Sequence, residues 1–175
     1  MPTIRPETPA DLEAVTGLIA SAFGKTDADG RNDETRLVDG LRDGGHVRVS
    51  LVAEEGGGIV GQIMFSEVAI EASSGPVPAL TLAPLAVAPG RQGEGIGSDL
   101  VRSGIEECRR TGWRIVLVVG HPGYYPRFGF KRDLARALGD PFKAGDAFMA
   151  MELEPGALEG VTGAVRYPPP FMAFV

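Results

Sequence analysis

The chain holds one cysteine, two histidines, fewer basic than acidic residues, and no apolar run near membrane-spanning length. A lone Cys108 excludes an internal disulfide and a cysteine-based zinc site. It falls in a helical stretch, where a buried structural thiol is expected rather than a nucleophile. His46 and His121 lie far apart with no ligand spacing around them, so no metal is expected. No stretch reaches the about 18 apolar residues of a membrane span, and the N-terminus is polar, without a signal-peptide pattern. The reading is a cytoplasmic protein with no membrane partner. Lys and Arg total 17 against 23 Asp and Glu, a net charge of −6, which argues against non-specific nucleic-acid binding. An acidic surface is compatible with cationic amines. Gly24-Lys25-Thr26 is the one Gly-Lys-Thr triplet, but Ile19 stands where a P-loop needs its leading glycine, so a P-loop is excluded.

What is present is ordinary for a globular chain: 175 residues, 43% apolar and 23% charged. This length predicts one domain over 1–175 with room for a sizeable core. The stretch that organises it is Thr81–Gly97, TLAPLAVAPGRQGEGIG. An apolar strand runs to Val87, turns at Pro89-Gly90, and enters a helix through Gly93, Gly95 and Gly97. Backbone amides at a helix start are unpaired donors, and the helix dipole adds about half a positive charge, so a pyrophosphate is the natural guest. A dinucleotide fingerprint would need Gly-x-Gly-x-x-Gly. Counting from Gly93, the third glycine falls one place early and Ser98 holds the required position. A plain strand-to-helix connection is the other reading of such a turn.

In chain order, Thr3–Arg5 predicts a short strand. Thr8 or Pro9 opens a helix with Leu12, Val15, Leu18, Ile19 and Phe23 at helical spacing. A polar loop over 24–31 leads to a second helix, Asp33 to Arg42, stopped by Gly44-Gly45. Val47–Ala53 alternates as a strand, 54–58 is a turn, and Ile59–Ile70 returns as an antiparallel partner. Glu71–Pro78, rich in Ser, Gly and Pro, reads as a connection before the organising strand at 79–87. A helix over 96–111 and an apolar strand, Trp113–Val119, complete a βαβ unit. A loop over 134–146 precedes a last strand, Ala147–Leu153. The tail from Pro155 is Gly- and Pro-rich and extended, with Phe171 and Phe174 docking it on this chain or on a dimer partner.

Gln92-x-x-Gly95-x-Gly97, after Leu85-Ala86-Val87, closely resembles the acyl-CoA signature Gln/Arg-x-x-Gly-x-Gly/Ala of the GNAT N-acetyltransferases. Tyr125, four residues before Gly129-Phe130, matches a second motif of that family. The wording His121-Pro-Gly-Tyr-Tyr-Pro-Arg-Phe-Gly-Phe130, and the ending Val165-Arg-Tyr-Pro-Pro-Pro-Phe171, look like its YhbS-like branch. The resemblance covers most of residues 3–171.

That resemblance implies an α/β fold with a mixed, largely antiparallel sheet, splayed into a V-shaped cleft between the organising strand and strand 113–119. Acetyl-CoA would lie there as cosubstrate. Leu85, Ala86 and Val87 would supply main-chain contacts, and Gln92, Gly93, Glu94, Gly95, Ile96 and Gly97 the pyrophosphate site, with Arg91 adding charge. Glu94 is a departure, harmless if it points outward. The implied reaction is attack of a primary amine, on a small molecule, peptide or protein, upon the thioester. The Val87 N–H would face the oxyanion and Tyr125 would act as general acid. The usual Glu base position is Thr81, which cannot serve; Glu34, Glu67 and His121 are the other candidates and none is assigned. A non-catalytic acyl-CoA sensor and a partner-binding module using the Phe-rich tail are the rival readings.

Overall fold

A computed structural model describes all 175 residues, Met1–Val175. Strand β1 (Thr3–Pro6) is followed by a 3₁₀ turn at Pro9–Asp11 and by α1 (Leu12–Phe23). Arg5 clamps this start, donating to Asp11 at 2.7 and 2.9 Å and to Glu54 at 2.8 Å. The guanidinium holds the Asp11 carboxyl well below the usual carboxylate range. Helix α2 (Asp33–Asp43) begins at Asn32, whose side chain accepts from the Thr35 N–H at 2.9 Å while the Thr35 hydroxyl accepts from the Asn32 N–H at 3.0 Å. The Asn32 amide also donates to the Gly24 carbonyl at 3.1 Å, tying the start of α2 to the end of α1.

Strands β2 (Val47–Glu55), β3 (Gly58–Ala72) and β4 (Gly75–Val87) form an antiparallel meander. The reading of Glu71–Pro78 as a connection is corrected here. Pro76 pairs with Glu71 and Pro78 with Ala69, and the turn is confined to 73–74. Prolines survive in this strand because β4 meets its other neighbour only at Leu80 and Thr81. Along an edge a missing N–H leaves no ladder bond broken.

Helix α3 (Ile96–Arg110) crosses to β5 (Ile115–Val119), which lies parallel to β4. The region after Phe130 carries α4 (Arg132–Ala135) and the two-residue β6 (Leu138–Gly139), where a loop was expected. Then β7 (Phe148–Glu152) pairs antiparallel with β5. The tail is more than extended chain: β8 (Gly163–Arg166) pairs with β3 at Ala69–Ala72 and with β6. Strand β2 leaves β3 at Ser66, so the backbone groups of β3 beyond that point would be unpaired without β8. The result is one open, mostly antiparallel eight-stranded sheet with helices on both faces.

Two apolar clusters sit on opposite faces of that sheet. One joins α1, α2 and the tail (Ile19, Leu41, Met64, Phe171), and the other packs under α3 (Phe65, Leu100, Ile105, Phe130). Helix α3 approaches so closely that a Cβ on Gly104 would lie 2.5 Å from the Phe65 ring, itself fully buried. Gly104→Ala gains about 1 kcal/mol of helix propensity but overpacks a tight contact, a loss of about 1–3 kcal/mol. Net destabilisation is expected, read as a lower urea midpoint with an unchanged slope; an unchanged or higher midpoint would show that Phe65 gives way freely. Cys108 is fully buried in this layer, and burial pushes its thiol up to about 12, which suits a packing role. No helix is long and apolar enough to cross a membrane.

Candidate active site

The cleft follows from how β4 parts from β5. Opposite the single residue Met64, β4 holds two, Ala83 and Pro84, and the register slips there. The Ala83–Pro84 bond is cis. Beyond Thr81 no ladder bond joins β4 to β5, so Leu82–Val87 has an open side. The Ala88 N–H donates to the Val60 carbonyl at 2.9 Å, on the β3 side. Alternation along the strand therefore turns the N–H groups of Leu85 and Val87 toward the gap, and those of Ala86 toward β3. The Val87 carbonyl, on the open side too, accepts from Gln92 Nε2 at 3.2 Å.

The gap continues into the glycine turn. Gly93 and Gly95 have φ of +80° and +90°, a region that side chains other than glycine rarely adopt. Gly95 is the N-cap of α3, and the first helical bond runs from Asp99 N–H to the Gly95 carbonyl at 3.0 Å. Ile96, Gly97 and Ser98 thus keep N–H groups with no acceptor inside the helix. Arg91 stands beside them, bound to Glu94 at 3.0 Å and to Glu55 at 2.5 Å. Glu94 is exposed and turned to that arginine.

Across the gap, β5 ends at Val119, and after Gly120 the chain folds into a 3₁₀ turn, Tyr125–Phe128. A Cβ on Gly120 would sit 2.2 Å from the Tyr125 ring, so the missing side chain is what admits the ring. Phe130 meets it edge-on at 5.7 Å and Tyr124 at 5.1 Å. Burial, with a smaller contribution from Tyr124, pushes the Tyr125 phenol up to about 12. It therefore stays protonated, a donor and not a base, throughout the neutral range. The Tyr124 hydroxyl lies 3.1 Å from Ser98 Oγ, joining this wall to α3. Arg127 stacks over the Tyr124 ring at 4.7 Å.

These walls enclose a cleft of about 1030 Å³. Leu85, Val87, Gln92, Gly93, Gly95, Ile96, Gly97 and Tyr125 all line it; Ala86 and Glu94 do not. Of the groups weighed as base, Glu34 and His121 reach the cleft, whereas Glu67 is held by Arg48 at 2.9 Å outside it. Thr81 lines the floor, almost fully buried.

Sequence reasoning did not bring the residues of the far end of the cleft together as one wall. Phe23 from the end of α1, Leu37 from α2, Phe142, and Tyr167, Phe171 and Phe174 from the tail close it. Phe142 meets Tyr167 edge-on at 4.8 Å, and the Tyr167 and Phe171 rings lie tilted at 5.3 Å. The available signal was the density of aromatics in a proline-rich tail. The Tyr167 hydroxyl is buried with no hydrogen-bond partner, and Thr81 sits beside it outside good hydrogen-bond geometry. Burial raises that phenol above its ordinary range.

Comparison with known proteins gives this geometry a family. The family model for an acetyltransferase (GNAT) domain matches residues 3–132. The uncharacterized N-acetyltransferase YhbS of Escherichia coli K12 is 32% identical over 98% of this chain and 99% of its own length. Its crystal structure in complex with CoA superposes with a TM-score of 0.87, at 31% identity, covering 99% of this chain and 93% of that one. A GNAT family acetyltransferase from Brucella melitensis, solved with acetyl-CoA, gives 0.78 at 33% identity over 98% of both chains. The family model and the near-full-length likeness to YhbS, in sequence and in fold, show that the chain belongs to the GNAT acetyltransferase family.

Proposed function

We propose that the chain is a single-domain N-acetyltransferase that moves the acetyl group of acetyl-CoA to a primary amine by direct attack. The observation carrying this reading is the open side of β4 running into the unpaired amides of α3, with Tyr125 on the facing wall. The first supplies main-chain partners for an extended amide-bearing arm at Leu85 and Val87, the second an anion site at Gln92–Gly97. Two relatives solved with CoA or acetyl-CoA support the same ligand.

In the reaction, the neutral amine attacks the thioester carbon, the new C–N bond forms and the C–S bond breaks. The Val87 N–H, turned to the gap, stabilises charge developing on the carbonyl oxygen; one such donor contributes about 3–4 kcal/mol. Tyr125 gives its proton to the departing thiolate. A phenol near 12 is a weaker acid than the thiol it generates, so the transfer is completed by departure of the thiol and by return of a proton from water to the phenolate. The proton lost by the amine passes to water. A cytoplasmic location fits a chain whose single thiol stays free and buried.

The test is thiol release from acetyl-CoA by the purified protein across a panel of primary amines, beside calorimetric binding of acetyl-CoA. Amine-dependent release is expected. Tight binding with no release for any amine would replace this reading with that of a sensor, and absence of binding would remove both.

A further inference from the structure

The cleft has two chemically distinct ends. Both arginines on its wall, Arg91 and Arg127, belong to the glycine turn or to the segment after β5. At the other end the wall is apolar, built from Phe23, Leu37, Phe142, Tyr167, Phe171 and Phe174. The one acidic residue lining the whole cleft is Glu34. It lies in the first turn of α2, one turn before Leu37, so the two share a face. Its acidic neighbours on that helix are engaged, Asp33 with Arg36 and Asp39 with Arg31. Glu34 has no ion-pair partner, although the chain has partners for most of its carboxylates. It is half-buried against an apolar wall, where an uncompensated negative charge attracts a cation more strongly than it would in open water. The Asn32 bridge to α1 fixes the helix start, and hence the place of this carboxylate.

Resting on the acetyltransferase reading, we infer that the acceptor is a primary amine carried on an aromatic or otherwise apolar body, its ammonium recognised by Glu34 and giving up one proton to water before the attack. The apolar body packs among Phe23, Phe142 and Phe171. The same wall discriminates. A free amino acid would bring a carboxylate to an end that holds no cation, and a polyamine would bring several charges to a single carboxylate. A lysine side chain on a protein would bring an aliphatic stem that leaves the aromatic wall unfilled.

The experiment pairs turnover with direct binding. 2-Phenylethylamine and tryptamine are compared with phenylalanine, spermidine and a lysine-containing peptide, using acetyl-CoA for turnover and CoA-loaded protein for calorimetry. The aromatic amines are expected to exceed phenylalanine and spermidine in kcat/KM by about 100-fold or more. Glu34→Gln should raise KM for phenylethylamine about tenfold, with a smaller change in kcat, unaltered acetyl-CoA affinity, and partial recovery in Glu34→Asp. Better turnover of spermidine, phenylalanine or the peptide overturns the inference while leaving acetyl transfer intact. So does a Glu34→Gln variant that loses kcat at constant KM, which would make Glu34 a base. If no amine turns over, phenylethylamine binding to CoA-loaded protein that weakens in Glu34→Gln sustains the site without the chemistry. Absence of that binding overturns it.

Discussion

Tyr125→Phe is expected to lower kcat by about 10²–10³-fold and to leave acetyl-CoA affinity within about twofold, the range that loss of a positioned general acid produces. The substitution is clean because the ring is held by shape: the bare Cα of Gly120 on one side, Phe130 and Tyr124 on the others. Removing the hydroxyl leaves those contacts in place, so a fall in rate reports the proton and not the packing. With the phenol at about 12, its ionisation lies above the working range. Any decline in wild-type rate below about pH 11 must then come from another group, since a phenol loses its proton only near its own pKa. Tyr124→Phe is the control; it gives up the contact to Ser98 and should cost much less. If the large loss falls on Tyr124→Phe instead, the acid is the other tyrosine of the pair. Full activity in both variants would mean that the thiolate leaves without an acid from this wall.

Gly95→Trp is expected to weaken acetyl-CoA binding by more than about 100-fold, enough to erase the ligand's effect on thermal stability. At 100 times Kd a bound ligand stabilises the fold by about 2.7 kcal/mol, a shift of several degrees that the variant should lack. Two causes act together. At a φ of +90° any residue with a Cβ is strained, by about 1–2 kcal/mol. A Cβ there would also meet no protein atom within 4 Å, so the side chain enters the empty space in front of the α3 amides. A Gly95→Trp protein that folds and still gains stability from acetyl-CoA would put the pyrophosphate somewhere other than this helix start.

The glycine turn and the Tyr125 motif were readable because each is local: a strand, a turn and a helix start follow one another within about twenty residues of chain, and the chemistry lies in the backbone. The parting of β4 from β5 was legible only through family likeness. The physical cause, two residues opposing Met64, is a register event between strands that sequence does not display. Pro76 and Pro78 misled because proline signals a break, yet along a strand edge it removes no ladder bond. The acceptor end was least legible. Phe23, Glu34, Phe142 and Phe171 come from four separate segments, and only the fold brings them to one wall. Glu34 surfaced merely as one possible base, with nothing in its surroundings to single it out.

Strand β8 settles onto β3 where β2 has ended, and Tyr167 and Phe171 follow it directly into the cleft. The stretch that matches the family model stops at residue 132. The proposed acyl-donor half of the cleft is drawn from that stretch, while part of the opposite wall is delivered by one short terminal strand and its sequel. On the proposed reading the acceptor wall is composite, with Phe23, Glu34 and Leu37 inside the matched stretch and Phe142, Tyr167, Phe171 and Phe174 beyond it. Exchanging residues 163–174 with those of a relative is a route to a new acceptor preference that leaves the glycine turn untouched.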